Sequence, residues 1–95
     1  MKREFIDVEF TPRERFLVRK YGYPFDGIAA SLLEVKQSLG IERIAIDRFE
    51  LEKLIGDLCI SINDLQPGRL QNELLVLCDR LEAAERYGEG LLDEL

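Results

Sequence analysis

Carboxylates recur at helical spacing in two segments of the 95-residue chain, and no other pattern in it has more capacity for chemistry. They are, in sequence order, Glu50, Asp57, Asp64, Glu82, Glu85 and Glu89. Paired carboxylates can bind a hard cation or perform general acid–base catalysis. The sequence has neither a calcium-loop pattern nor the Glu-x-x-His spacing of di-iron bundles. We therefore interpret these carboxylates as charged helix faces in water.

Histidine is absent from the sequence, and this excludes several kinds of active site. A Ser-His-Asp or Cys-His nucleophile, a His-ligated zinc ion and a His proton shuttle are all impossible within the chain. Cys59 and Cys78 lie among aliphatic residues without CxxC spacing, so we predict two reduced thiols in the core. The sequence thus predicts a non-enzymatic protein with no catalytic residue, metal ion or cofactor.

The first 25 residues differ from the rest in charge. They hold six cations against four carboxylates, whereas the remainder holds seven against fifteen, and the net charge of the whole chain is -6. On a helical wheel four cations surround Phe16, and two aromatic residues follow in a loop. These residues form a candidate partner-binding surface: Arg13, Arg15, Phe16, Arg19, Lys20, Tyr23 and Phe25. In one alternative, Phe16 is an ordinary exposed side chain and the loop aromatics close the end of the fold. In the other, Phe16 stacks on a nucleic-acid base, which the negative net charge of the chain disfavours.

Caps and glycine stops divide the rest of the chain into helices. Apolar residues at steps of three and four predict four of them, at about residues 11–21, 27–39, 48–64 and 67–87. Residues 4–10 alternate apolar and polar side chains, which predicts a strand or an extended arm, and residues 41–46 are ambiguous.

These elements predict an all-α fold, a compact bundle of about four helices with a short extended N-terminal arm. We expect a single domain over residues 1–95, with the arm at 1–10, the helical core at 11–87 and an acidic tail at 88–95. The alternative is a small α+β fold in which the arm pairs with residues 43–46.

Two helices carry apolar residues away from their main leucine stripes. One set is Phe49, Gly56 and Ile60, and the other is Val76, Ala83 and Tyr87. Gly56 costs about 1 kcal/mol of helix propensity relative to Ala, which makes sense where another backbone comes close. Either both helices touch neighbours on two sides within a compact bundle, or one of these sets is a surface for self-association or for a partner.

The function predicted from these features is that of a small acidic protein that binds another macromolecule, as a regulator, adaptor or inhibitor. The alternative is a self-associating structural or regulatory subunit, such as a homodimer, and the third, less favoured interpretation is nucleic-acid binding through the first helix. We expect a protein partner and a cytoplasmic location, because neither a signal peptide nor a membrane span is visible in the sequence.

Overall fold

The computed structural model describes residues 4–22 and 26–90, which form an α+β fold. The strands are β1 (Phe5–Phe10), β2 (Glu42–Asp47) and the two-residue β3 (Glu89–Gly90). The helices are α1 (Pro12–Tyr21), α2 (Asp26–Glu34), α3 (Arg48–Asp64) and α4 (Arg69–Tyr87).

The all-α prediction is wrong, because the N-terminal arm is a paired strand. β1 runs antiparallel to β2, with Phe5 opposite Asp47 and Phe10 opposite Glu42, and β3 pairs with β1 in parallel, giving the strand order β2-β1-β3. The α+β alternative, with the arm paired to residues 43–46, fits better. An extended segment needs partners for its backbone groups, and β2 supplies them along its whole length.

Alternation along the strands places one face of the sheet in the core. Ile6, Val8 and Phe10 are buried, as are Ile44 and Ile46 of β2. The helices cover this face with their own buried stripes, of which α3 and α4 supply the largest part. The buried helical residues are Leu17, Val18, Ile28, Leu32, Leu51, Leu54, Leu58, Ile62, Leu74, Leu77, Cys78, Leu81 and Ala84.

Helix ends follow the capping signals of the sequence. Thr11 Oγ1 accepts from Glu14 N at 3.1 Å while a Glu14 carboxylate oxygen accepts from Thr11 N at 3.0 Å, which completes a capping box at α1. Asp47 Oδ1 accepts from Phe49 N at 2.9 Å and so caps α3. α4 ends at Gly88, whose φ of 90° lies in the left-handed region that favours glycine.

The second helix is shorter than predicted, since α2 ends at Glu34 instead of continuing to residue 39. Turn hydrogen bonds replace the helical ones here: Ser38 N donates to Val35 O at 2.9 Å. Residues 35–41 therefore form an irregular connector that leads into β2. In the part of the chain that the structure covers, no helix has both the length and the apolar character needed to cross a membrane.

Candidate functional site

The outer face of α3, which we define by Phe49, Gly56 and Ile60, lies opposite the helix's buried leucine stripe. At 100° per residue these three positions fall within about 40° of one another. Phe49 and Ile60 are 70% and 63% exposed. The interpretation in which a neighbouring element of the same bundle covers this side of α3 therefore does not hold within the described residues. Phe49 and Ile60 lie eleven residues apart, about 16 Å along the helix, with Gly56 between them.

Gly56 sits in the middle of this outer face with open space above it. A Cβ atom built at Gly56 meets no atom of the described chain within 4 Å. At Gly22, by contrast, the same atom would lie 2.4 Å from Leu54 Cδ1 and 2.8 Å from Val18 O. The fold therefore requires glycine at position 22 but not at position 56, although glycine weakens the middle of a helix.

Charges flank the outer face, and most of them are acidic. Lys53 Nζ lies 2.5 Å from Asp57 Oδ1, one helical turn along the same helix. Glu52 and Asp64 are exposed on either side of the apolar positions. The surface thus combines an apolar stripe with carboxylate borders, which complements a partner carrying an apolar stripe with cationic borders.

The second predicted set, on α4, has the same spacing as the outer face of α3, and its two exposed residues lie at opposite ends of that spacing. Val76 is 66% exposed and lines a cleft of about 660 Å³ between the N-terminal halves of α1 and α4. Tyr87 is exposed at the other end of the helix, where the Arg86 guanidinium lies 6.0 Å from its ring centre. Ala83 is half-buried between them.

The basic face predicted for α1 is only partly available as a surface. Arg13 donates two hydrogen bonds to the Glu73 carboxylate, at 2.9 and 3.1 Å, and this ion pair lowers the pKa of Glu73. Arg13 and Lys20 flank the exposed Phe16 ring at 5.4 and 5.6 Å from its centre. Arg19 is exposed, while Tyr23 and Phe25 lie outside the described residues.

Arg15 is not part of that surface, because its side chain is buried with 2% exposure. Its guanidinium donates to three backbone carbonyls: Phe10 O at 3.0 Å, Gly40 O at 2.9 Å and Ser38 O at 2.7 Å. The wheel assigned Arg15 to the cationic side, yet its long side chain reaches backbone carbonyls at the end of β1 and in the connector before β2. Arg15 therefore positions the end of β1 and the connector that precedes β2.

Sequence reasoning missed one cluster, which lies where α3 and α4 meet. Cys59 Sγ and Cys78 Sγ are 3.6 Å apart, and Cys78 Sγ lies 3.5 Å from Glu82 Oε1. Burial raises the pKa of the Cys78 thiol, and the neighbouring Cys59 thiol and Glu82 carboxylate raise it further. The three ligand atoms lie within 4.8 Å of one another, so these residues could hold a zinc ion. Only the i, i+4 spacing of Cys78 and Glu82 was visible in the sequence.

Comparison of the chain with protein-family models, with curated proteins and with solved structures finds no match. The function proposed below therefore depends on the geometry of the described residues and on the composition of the chain.

Proposed function

We propose that this chain is a small, acidic, non-enzymatic protein that acts in the cytoplasm by binding another protein through the outer face of α3. The observation that carries the proposal is the exposure of Phe49 and Ile60 on either side of Gly56, where the fold leaves open space. Large exposed side chains beside a position without a Cβ atom give a partner both apolar contact and room for close approach.

The occupant that best fits this face is an amphipathic helix with basic borders. An apolar stripe on the partner would cover Ile60 and Phe49, and its backbone would pass closest at Gly56. Lys or Arg residues beside that stripe would meet carboxylates such as Glu52 and Asp64. The net charge of -6 would draw a cationic partner toward the chain from a distance, an effect that salt screens.

Quantitative affinity capture with a tagged chain tests this proposal. We compare the wild type with Ile60→Glu, which places a charge in the stripe, and with Gly56→Leu, which adds a side chain where a Cβ atom meets no atom of the described chain within 4 Å. The control is Val76→Glu, because Val76 is an exposed aliphatic residue of a helix, like Ile60, but lies outside the outer face of α3.

The proposal predicts at least one captured protein whose recovery falls about tenfold or more with both α3 variants but not with the control. Recovery of that protein should also fall as salt concentration rises. If every captured protein is retained by Ile60→Glu and Gly56→Leu, or is lost equally with Val76→Glu, the outer face of α3 is not the binding surface.

A further inference from the structure

β2 is an edge strand, and the sheet register shows which of its backbone groups face outward. Arg48 N donates to Glu4 O at 2.8 Å, so these two residues form a hydrogen-bonded pair of the antiparallel ladder. Hydrogen-bonded pairs recur at every second residue, which places Ile46 and Ile44 in the following ones. The N–H and C=O groups of Arg43 and Ala45 consequently point away from β1, toward the edge that no other described strand occupies.

The sequence of this strand is complementary to itself when read in the opposite direction. Residues 42–48 are Glu-Arg-Ile-Ala-Ile-Asp-Arg. If a second copy runs antiparallel with Ala45 opposite Ala45, then Arg43 lies opposite Asp47 on both sides of the centre. Glu42 lies level with Arg48, the first residue of α3, but Glu42 already binds Ser38 and Arg48 already binds Glu4 and Glu85 within the same chain. Ile44 lies opposite Ile46. On the solvent side of the strand each Arg43 thus meets an Asp47, and on the core side the buried Ile44 meets Ile46.

We propose that β2 pairs with β2 of a second copy of this chain, antiparallel and centred on Ala45, so that the two sheets become continuous in a symmetric dimer. The two Ala45 residues exchange both of their backbone hydrogen bonds across the two-fold axis, since these groups point to the open edge. This dimer does not depend on the proposed function, which uses the outer face of α3, although its register brings Ile41 of the second copy level with Phe49 of that face.

Other registers lack this complementarity. Centring the pair on Arg43 places two guanidinium groups opposite each other, and centring it on Asp47 places two carboxylates opposite each other; both arrangements are repulsive. A pair centred on Ile44 places Glu42 opposite Ile46, and no charged residue then lies opposite a residue of the other charge. The charge pattern therefore favours the register centred on Ala45. It also identifies a second copy of this chain as the strand that pairs with the open edge of β2.

The side chains on the solvent side of the strand are compatible with this pairing. Ala45 is exposed and small enough for two copies to meet at the axis. The Arg43 guanidinium already lies 3.6 Å from the Glu9 carboxylate, yet the Arg43 side chain remains 54% exposed. Its guanidinium has further N–H donors for a second carboxylate. Asp47 Oδ1 accepts from Phe49 N and Glu50 N as the cap of α3, which fixes the position of this carboxylate at the end of β2.

Two exposed apolar residues lie in the segment that leads into β2. Leu39 is 95% exposed and Ile41 is also exposed, although neither is part of an apolar surface of a helix. Arg15 holds the connector carbonyls of Ser38 and Gly40, so the entry to the strand has a fixed position. A second copy at this edge would cover apolar side chains that a single copy leaves in water.

Sedimentation or light scattering across a range of protein concentrations tests the dimer with one lysine substitution. Ala45→Lys places two ammonium groups together at the two-fold axis, whereas in a single copy the new side chain points into solvent. The matched control is Gln66→Lys, which adds the same charge in the exposed loop between α3 and α4. Circular dichroism and thermal melts verify that both variants fold.

The wild type and Gln66→Lys should be dimers at roughly 0.1 mM, and Ala45→Lys should raise the dissociation midpoint about tenfold or more. As a second readout, Ala45→Cys should form an intermolecular disulfide under a mild oxidant while Gln66→Cys does not, because paired Cα atoms about 5.5 Å apart suit that bond. A monomeric wild type would overturn the proposal. So would a dimer that Ala45→Lys leaves intact and Ile60→Glu dissociates, which would assign self-association to α3.

Discussion

The guanidinium of Arg15 donates a 2.9 Å hydrogen bond to the backbone carbonyl of Gly40, 25 residues further along the chain. With the bonds to Phe10 and Ser38, it joins the start of α1 to the connector before β2. We predict that Arg15→Ala lowers the free energy of unfolding by about 3 kcal/mol, because buried carbonyls lose a charged donor. Urea denaturation measures this loss.

Arg15→Lys distinguishes the geometry of the guanidinium from its charge. A single ammonium group cannot replace a planar fork that spans three carbonyls, so we expect Arg15→Lys to lose a large part of the same stability. Arg19→Ala, on the exposed side of the helix, should change stability by only about 0.5 kcal/mol or less. Equal effects of Arg15→Ala and Arg19→Ala would contradict the placement of Arg15.

Substitution by alanine should lower the free energy of unfolding at Gly22 and raise it at Gly56. Gly22→Ala brings a Cβ atom within 2.4 Å of Leu54 Cδ1, so we expect a loss of about 1–3 kcal/mol. Gly56→Ala meets nothing within 4 Å and should gain about 1 kcal/mol from helix propensity. Thermal or urea melts of both variants compare them directly. A loss at Gly56 would mean that something within the folded chain packs there.

The two cysteines should differ in their reaction with an alkylating reagent. The thiolate is the nucleophile, and the raised pKa of Cys78 keeps that buried thiol protonated at pH values where an ordinary cysteine ionises. We expect iodoacetamide to modify the half-buried Cys59 first and to leave Cys78 unmodified between pH 7 and about 9. Peptide mass spectrometry of native and urea-unfolded samples gives the rates. Faster labelling of Cys78 than of Cys59 in the native protein would contradict this arrangement.

Local sequence signals predicted the four helices and most of their ends, whereas the end of α2 was wrong, since the helix stops at Glu34 and not at residue 39. The capping box of Thr11 and Glu14 and the cap at Asp47 are both present, because capping depends on side chains within a few residues of one another. The fold class was wrong because pairing between β1 and β2 depends on a contact between residues about 40 positions apart. The alternation of Ile44 and Ile46 was visible, but a short apolar run does not by itself identify its partner.

Local sequence patterns were likewise insufficient to predict the surroundings of the candidate surface residues, which depend on long-range contacts. Phe49 and Ile60 were identified from their spacing, and their exposure depends on how many neighbouring elements the fold supplies for α3. Arg15 was assigned to the wrong environment because a helical wheel shows direction and omits the carbonyls of a distant connector. The contact between Cys59 and Cys78 depends on how α3 and α4 align, which no local motif specifies.

Residue-resolved amide hydrogen exchange along β2, measured at a low and a high protein concentration, tests the central arrangement most directly. The N–H groups of Ile44 and Ile46, which are bonded to β1, should exchange slowly at both concentrations. The N–H group of Ala45 should exchange quickly in dilute solution and slowly in concentrated solution, where a second copy covers the edge. Equal and rapid exchange of Ala45 at both concentrations would contradict pairing with a second copy, and rapid exchange of Ile44 and Ile46 would contradict the sheet itself.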